Sequence, residues 1–321
     1  RQTRRTLKGY RALSEGLAAV ATGDTRRVAR LAHQAEKLLK DPSLTGLLTV
    51  QAARMGGDEA ELRARFEAML TRTETAFLGL KGLMDLSLRQ GERDAAREYA
   101  ARALVLQPAA EDLAATLFDL QAEAGLWAEA ETTLGVIRRY KSLPAAEQAK
   151  RRALVLFARA EAAVGRGNRV EGLALALQAR KADPGFAAAA VLAAELYRRR
   201  GRDRKAEQVL QATFRVAPHP ALVAGWIALG ADEAPLNRVK RVQRLVEANP
   251  NSPEGHLALA EAALNAKLWG QARTHLEKVL AERPSHRVLT LLARLEREEN
   301  KDEAKALAWL AKAGALAPDP A

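Results

Sequence analysis

The side chains in this 321-residue chain that could do chemistry are few and scattered. Its five histidines, His33, His219, His256, His275 and His286, never lie three or four residues apart, so no helical face offers the paired imidazoles that a zinc site uses. Any one of them could ligate a haem iron axially. A lone histidine that packs or faces solvent is the simpler account of each. Carboxylates such as Glu296, Glu298 and Glu299 read as a charged helix face rather than an acid/base pair. The absence of cysteine excludes thiolate metal sites, structural disulfides and covalent haem attachment, and leaves the compartment open. No G-x-x-x-x-G-K-S/T phosphate loop, H-E-x-x-H pair, G-x-S-x-G elbow or G-x-G-x-x-G turn occurs, and "GRGN" at 165–168 reads as a turn between helices. These residues predict a protein that is not an enzyme and has neither metal nor obligate cofactor, a haem or porphyrin being the one ligand left open.

The elements that would carry these residues are helices. Hydrophobic residues make up 48% and aromatics only 4%, while Ala, Leu, Arg and Glu dominate, which favours helix over strand. A formal charge of +12 would suit nucleic acid, an anionic membrane surface, an acidic protein partner, or a solvated arginine-rich face. No run of 18 apolar residues is present to span a bilayer. The first eleven residues carry Arg1, Arg4, Arg5, Lys8 and Arg11, and the start at Arg1 reads as the trimmed edge of a longer chain.

Two punctuation marks then set the organisation. Gly23, Gly57, Gly91 and Gly125 are each 34 residues apart; after one interval of 42, Gly167 and Gly201 resume the step of 34. Pro108, Pro184 and Pro218 each follow a turn glycine by 17 residues, and Pro250, Pro284 and Pro318 again step by 34. A helix ends at each glycine, a second follows, and proline stops it. Five residues past the turn stand Ala96, Ala130, Gly172, Ala206, Ala272 and Ala306, and twelve past it Ala35, Ala103 and Ala179, as close helix contacts require.

This spacing of Gly, Ala, Ala and Pro resembles the tetratricopeptide repeat. The resemblance implies an all-α, right-handed superhelical solenoid of about nine helix pairs, with turns near 23, 57, 91, 125, 167, 201, 233, 267 and 301. It implies one solenoid over 6–320: divergent repeats at 6–74, regular repeats at 75–143, irregular spacing at 144–250 and C-terminal repeats at 251–320. Stacked units of this kind present a groove lined by the first helix of each pair. Alignment by the turns puts Lys81, Asp85, Arg89, Asp119, Glu195, Arg198, Arg199, Glu261 and Asn265 toward it, as candidate partner contacts or as a plain helical surface. Lys81 suits a clamp for a chaperone's terminal carboxylate, but Asp85 stands where Asn would be wanted. Trp127, Trp269 and Trp309 read as packing residues. The basic clusters at 138–141, 150–152, 198–205 and 238–244 lack interleaved aromatics, which argues against RNA and favours a solvated face, a membrane surface or acidic protein.

Three stretches, 16–39, 73–108 with 117–134, and 215–229, resemble the bacterial HemY family of inner-membrane tetratricopeptide proteins, linked to a late stage of protoheme synthesis. That family is distinct from the flavoprotein oxidase that shares its name, whose nucleotide turn is missing here. The resemblance implies a non-enzymatic scaffold, anchored by hydrophobic helices preceding this chain, whose partners are haem-biosynthesis enzymes or a mitofilin-like membrane protein. It implies a bacterial inner-membrane location with Arg1, Arg4, Arg5, Lys8 and Arg11 beside anionic lipid. The positive-inside bias then favours the cytoplasmic face, the periplasmic face being the alternative. A role in envelope organisation is the second function that the resemblance implies, and haem or porphyrin binding the third.

Overall fold

The computed structural model describes residues 2–316, so Arg1 and Pro318, the last proline of the series, lie outside the described residues. Every regular element among the described residues is helical. The first four pairs are α1 (Gln2–Ala21) with α2 (Thr25–Leu39), α3 (Pro42–Gly56) with α4 (Glu59–Met69), α5 (Thr73–Arg89) with α6 (Arg93–Leu106), and α7 (Glu111–Glu123) with α8 (Trp127–Tyr140). Five more follow: α9 (Ala145–Gly165) with α10 (Arg169–Ala182), α11 (Ala187–Arg198) with α12 (Asp203–Val216), α13 (Pro220–Ala228) with α14 (Pro235–Val246), α15 (Pro253–Asn265) with α16 (Trp269–Glu282), and α17 (His286–Leu295) with α18 (Glu303–Gly314). This is the tetratricopeptide fold, with turns where the spacing predicts them. Two compact units divide it, one ending at Gln148 and the other beginning at Ala149.

Gly91 shows what the turn asks for. Its φ is 76°, and a Cβ placed there would meet nothing within 4 Å, so backbone conformation and not space selects glycine. The Glu92 N–H donates to the Ser87 carbonyl at 2.8 Å and the Gly91 N–H to the Leu88 carbonyl at 3.2 Å, closing a Schellman motif. Lys267 adopts φ 59° and closes the same pair of bonds, Leu268 N–H to Ala263 at 2.8 Å and its own N–H to Leu264 at 2.9 Å. Lys301 sits 34 residues later at φ 53°. Both hairpins thus keep the left-handed turn without glycine.

Small side chains set the seams. Ala96, Ala103, Ala130, Ala206, Ala272 and Ala306 are all fully buried. At Gly172 an added Cβ would stand 2.5 Å from Val164 Cγ2 and 3.2 Å from the Ala160 carbonyl oxygen, so α9 and α10 meet closer than alanine allows. In the first unit the tightest seam lies between α4 and α5: a Cβ on Gly82 would fall 2.2 Å from the Phe66 ring.

The irregular intervals have local causes. α9 has 21 residues where α7 has 13, and that difference equals the excess of the 42-residue interval over 34. The later shortening is taken up at α13, which has nine residues and is followed by a turn without a left-handed residue. Arg241 on α14, 9% exposed, holds that turn: it chelates the Glu233 carboxylate at 2.6 and 3.0 Å and reaches Glu207 of α12 at 2.6 Å. Trp226 donates its Nε1–H to the Arg241 carbonyl at 2.8 Å. Arg241 belongs to the basic run at 238–244, expected to be solvated, yet its guanidinium points inward because two carboxylates wait there. Trp226 is the buried tryptophan, whereas Trp127, Trp269 and Trp309 are half-buried.

Candidate functional site

The first helices of the pairs carry the candidate partner residues, and amphipathic spacing turns their polar sides outward. On α5, Asp85 and Arg89 are exposed and line a depression of about 410 Å³ together with Arg54, Phe66, Gly82 and Leu88. Lys81 lies half-buried one turn before Asp85, and Asp119 is exposed on α7. The depression owes its floor to Gly82: any side chain there would displace the Phe66 ring beneath it. An apolar base with one acid and two arginines at its rim can seat a short side chain and pair with either sign of charge.

In the second unit the candidates are engaged with neighbours. Glu195 accepts from Arg199 at 3.0 and 2.5 Å along α11, and Arg198 is exposed beside them. Glu261 accepts from Arg287 of α17 at 2.8 Å, and Asn265 accepts from Arg294 of α17 at 2.9 Å. Arg294 also pairs with Glu298 at 2.6 Å. Glu261 and Asn265 therefore tie one first helix to the next. Arg287 and Arg294, which do the tying, escape the sequence reading because only their partners' turn offsets were aligned.

The basic residues near the start lie along α1. Arg4, Arg5, Lys8 and Arg11 are exposed, and Arg5 also donates to the Lys37 carbonyl at 2.9 Å near the end of α2. The helix seats its small face, Gly9, Ala12, Gly16 and Ala19, inward and leaves Leu7, Tyr10 and Leu17 about half exposed. Among the described residues no helix is long and apolar enough to cross a membrane.

Space brings together one pair that sequence spacing keeps apart. His256 on α15 and His275 on α16 stack with ring centroids 5.1 Å apart and planes 18° from parallel. His256 is 6% exposed and neither of its ring nitrogens completes a hydrogen bond. Burial lowers the pKa of both imidazoles; Lys278 lowers that of His256 further, and for His275 the neighbouring His256 and Lys278 add to the effect. His219 instead caps α13, its Nδ1 accepting from the Ala221 N–H at 3.1 Å. Among the described residues no group of three or more His, Asp or Glu is placed to hold a metal ion.

The Glu296 cluster is structural. Glu296, 5% exposed, accepts from Arg273 at 2.8 Å and from the Asn300 amide at 2.7 Å, and Arg273 also reaches Glu299 at 2.6 Å. Arg273 above all, with Asn300, pulls the Glu296 pKa down, so the carboxylate stays ionised and has no proton to give. A π-helical turn over 296–300 delivers both glutamates to the one arginine.

Comparison with known proteins agrees with this architecture. The family model described as HemY protein N-terminus matches residues 1–57, and that described as tetratricopeptide repeat matches residues 233–295. The "Probable magnetosome protein Mms48" of Magnetospirillum gryphiswaldense is 29% identical over 299 residues, 93% of this chain and 65% of that protein. The chain thus spans about two thirds of the length of this relative. Among solved structures, Naa15/Naa10 bound to HypK-THB is similar at 15% identity with a TM-score of 0.52, over 95% of this chain and 52% of that one. A tetratricopeptide repeat protein from Parabacteroides merdae is similar at 16% identity with a TM-score of 0.38, over 76% of this chain and 94% of that one.

Proposed function

We propose that the chain is a HemY-family tetratricopeptide protein and the partner-holding part of a membrane-anchored, non-enzymatic scaffold connected with a late step of haem biosynthesis. The observation that carries this reading is the HemY segment itself, which coincides with α1, α2 and α3. Its first helix turns Arg4, Lys8 and Arg11 to solvent beside Leu7, Tyr10 and Leu17. Cations alternating with apolar side chains along one helix suit the boundary of an anionic membrane. Behind it, stacked hairpins offer surfaces such as the Asp85 and Arg89 depression to extended partner segments, the mode in which tetratricopeptide domains generally act.

The test is in-membrane cross-linking of the full-length protein followed by mass spectrometry, with porphyrins measured in a deletion strain. Enrichment of late haem enzymes together with altered porphyrin levels supports the reading; absence of both overturns it. A second reading, an organiser of membrane architecture acting with a mitofilin-like protein, draws support from the likeness to a probable magnetosome protein. Altered internal membranes on deletion, with co-purification of such a partner, would favour it.

A further inference from the structure

The second unit carries a concavity that is distinct from the first-helix surface. It opens between α10 and α12, with the end of α11 as its third wall, and has a volume of about 600 Å³. Three cations, Arg180, Lys181 and Lys205, converge on it, and Leu177, Pro184 and Tyr197 line the space between them. No carboxylate lines it. Its size falls in the range that receives a ligand or an anchoring side chain rather than bulk solvent alone.

Two arginines of this unit that fold inward are neutralised by carboxylates: Arg241 lies between Glu207 and Glu233, and Arg273 between Glu296 and Glu299. Arg238 leaves its Nε unpartnered but donates through Nη2 to the Ala231 carbonyl at 2.9 Å. Arg180 is half-buried, and its Nε is sealed from solvent without a hydrogen-bond partner. The carboxylate nearest in sequence, Asp183, is engaged with the Gly185 N–H at 3.1 Å. Lys205 holds its ammonium 5.8 Å from the centre of the Tyr197 ring, so cation and aromatic face the same space. A guanidinium desolvated on one side and left unpaired calls for an anion, whereas the apolar wall calls for a hydrocarbon or aromatic group. Arg198, Arg200 and Arg202, between the end of α11 and the start of α12, are exposed and add positive charge to the segment that joins the two helices.

We propose that this cavity is a docking site for an acidic linear segment of a protein partner, which inserts one aromatic or aliphatic side chain against Tyr197, Pro184 and Leu177 and pairs flanking carboxylates with Arg180, Lys181 and Lys205. The class of occupant rests on the scaffold reading above; the site itself rests on the geometry. A concave apolar pocket favours a peptide anchor over a flat lipid surface, and three lining cations with further exposed arginines in the adjoining segment favour several linked carboxylates over a small isolated anion.

The experiment is fluorescence polarisation of the whole chain with a labelled Glu-Glu-Trp-Glu-Glu peptide at an ionic strength of about 0.15 M. Saturable binding is expected. It should weaken roughly tenfold when Trp is replaced by Ser in the peptide, and roughly tenfold in a Lys181→Gln/Lys205→Glu chain, whose two altered side chains are exposed and leave the helical circular dichroism unchanged. No saturable binding overturns the proposal, as does equal binding of the Ser peptide, unaltered binding by the double variant, or tighter binding of an oligouridylate competed by the same substitutions. Repeating the membrane cross-linking with the double variant separates the two readings. Absence of capture in the wild type together with unchanged porphyrin levels condemns the scaffold, whereas capture that persists while the peptide never binds condemns this site alone.

Discussion

His256 and His275 lie face to face across the α15 and α16 hairpin, 5.1 Å apart, with His256 almost wholly enclosed. Burial disfavours protonation of both rings most strongly, Lys278 adds to it, and together they outweigh Glu282, which favours protonation at His256. Both folded-state pKa values are therefore below those of the unfolded chain, and the unfolded state binds more protons as pH falls. The stability this neutral pair supports is present above about pH 6.5 and is lost as pH drops below it. The melting temperature should fall between pH 7.5 and pH 5.5 more in the wild type than in a His256→Leu/His275→Leu chain. Equal falls in scanning calorimetry would refute the link.

Gly82→Ala should be severely destabilising. The new methyl group would sit 2.2 Å from the buried Phe66 ring, which would have to shift. Overpacking of this kind costs about 1–3 kcal/mol. Pairing it with Phe66→Leu, which vacates the space, should recover part of the loss in urea unfolding.

Gly91→Ala and Lys267→Gly should move stability in opposite directions. The first forces a Cβ into φ 76° and should cost about 1 kcal/mol; the second relieves a side chain held at φ 59° and should gain a few tenths, because part of the relief is offset by chain entropy. Equilibrium unfolding of both variants checks the sign.

Arg241→Ala leaves Glu207 and Glu233 facing each other without their cation. Both carboxylates are about a quarter exposed and can partly rehydrate, so a loss of about 2–3 kcal/mol is expected, below that of a fully buried pair. Replacing all three by Met, Gln and Gln should restore most of it. If the single variant melts like the wild type, the triad does not hold the α13 and α14 turn.

The sequence made the hairpins legible because their requirements are local. A left-handed turn, a small seam residue and a helix stop each demand one residue type at one offset. Even Lys267 and Lys301 could be placed without glycine, since Pro284 and Pro318 kept the count. What stayed hidden depends on partners distant in sequence. Arg241 sits among other basic residues, and only the approach of Glu207, 34 positions earlier, turns it inward. His256 and His275 are 19 apart, a spacing with no meaning until two antiparallel helices close. Glu261 and Asn265 were found by their offsets, but not their ties to Arg287 and Arg294.

Lys267 and Lys301 give the second unit a direction in which to come apart. Each keeps a strained dihedral in one of the two hairpins nearest the C-terminus, whereas the six earlier glycine turns carry no such load. In an array whose members lean mainly on adjacent members, local opening starts where intrinsic stability is lowest. Unravelling of the second unit should therefore begin from the α15 to α18 end, exposing that edge first to proteases and chaperones.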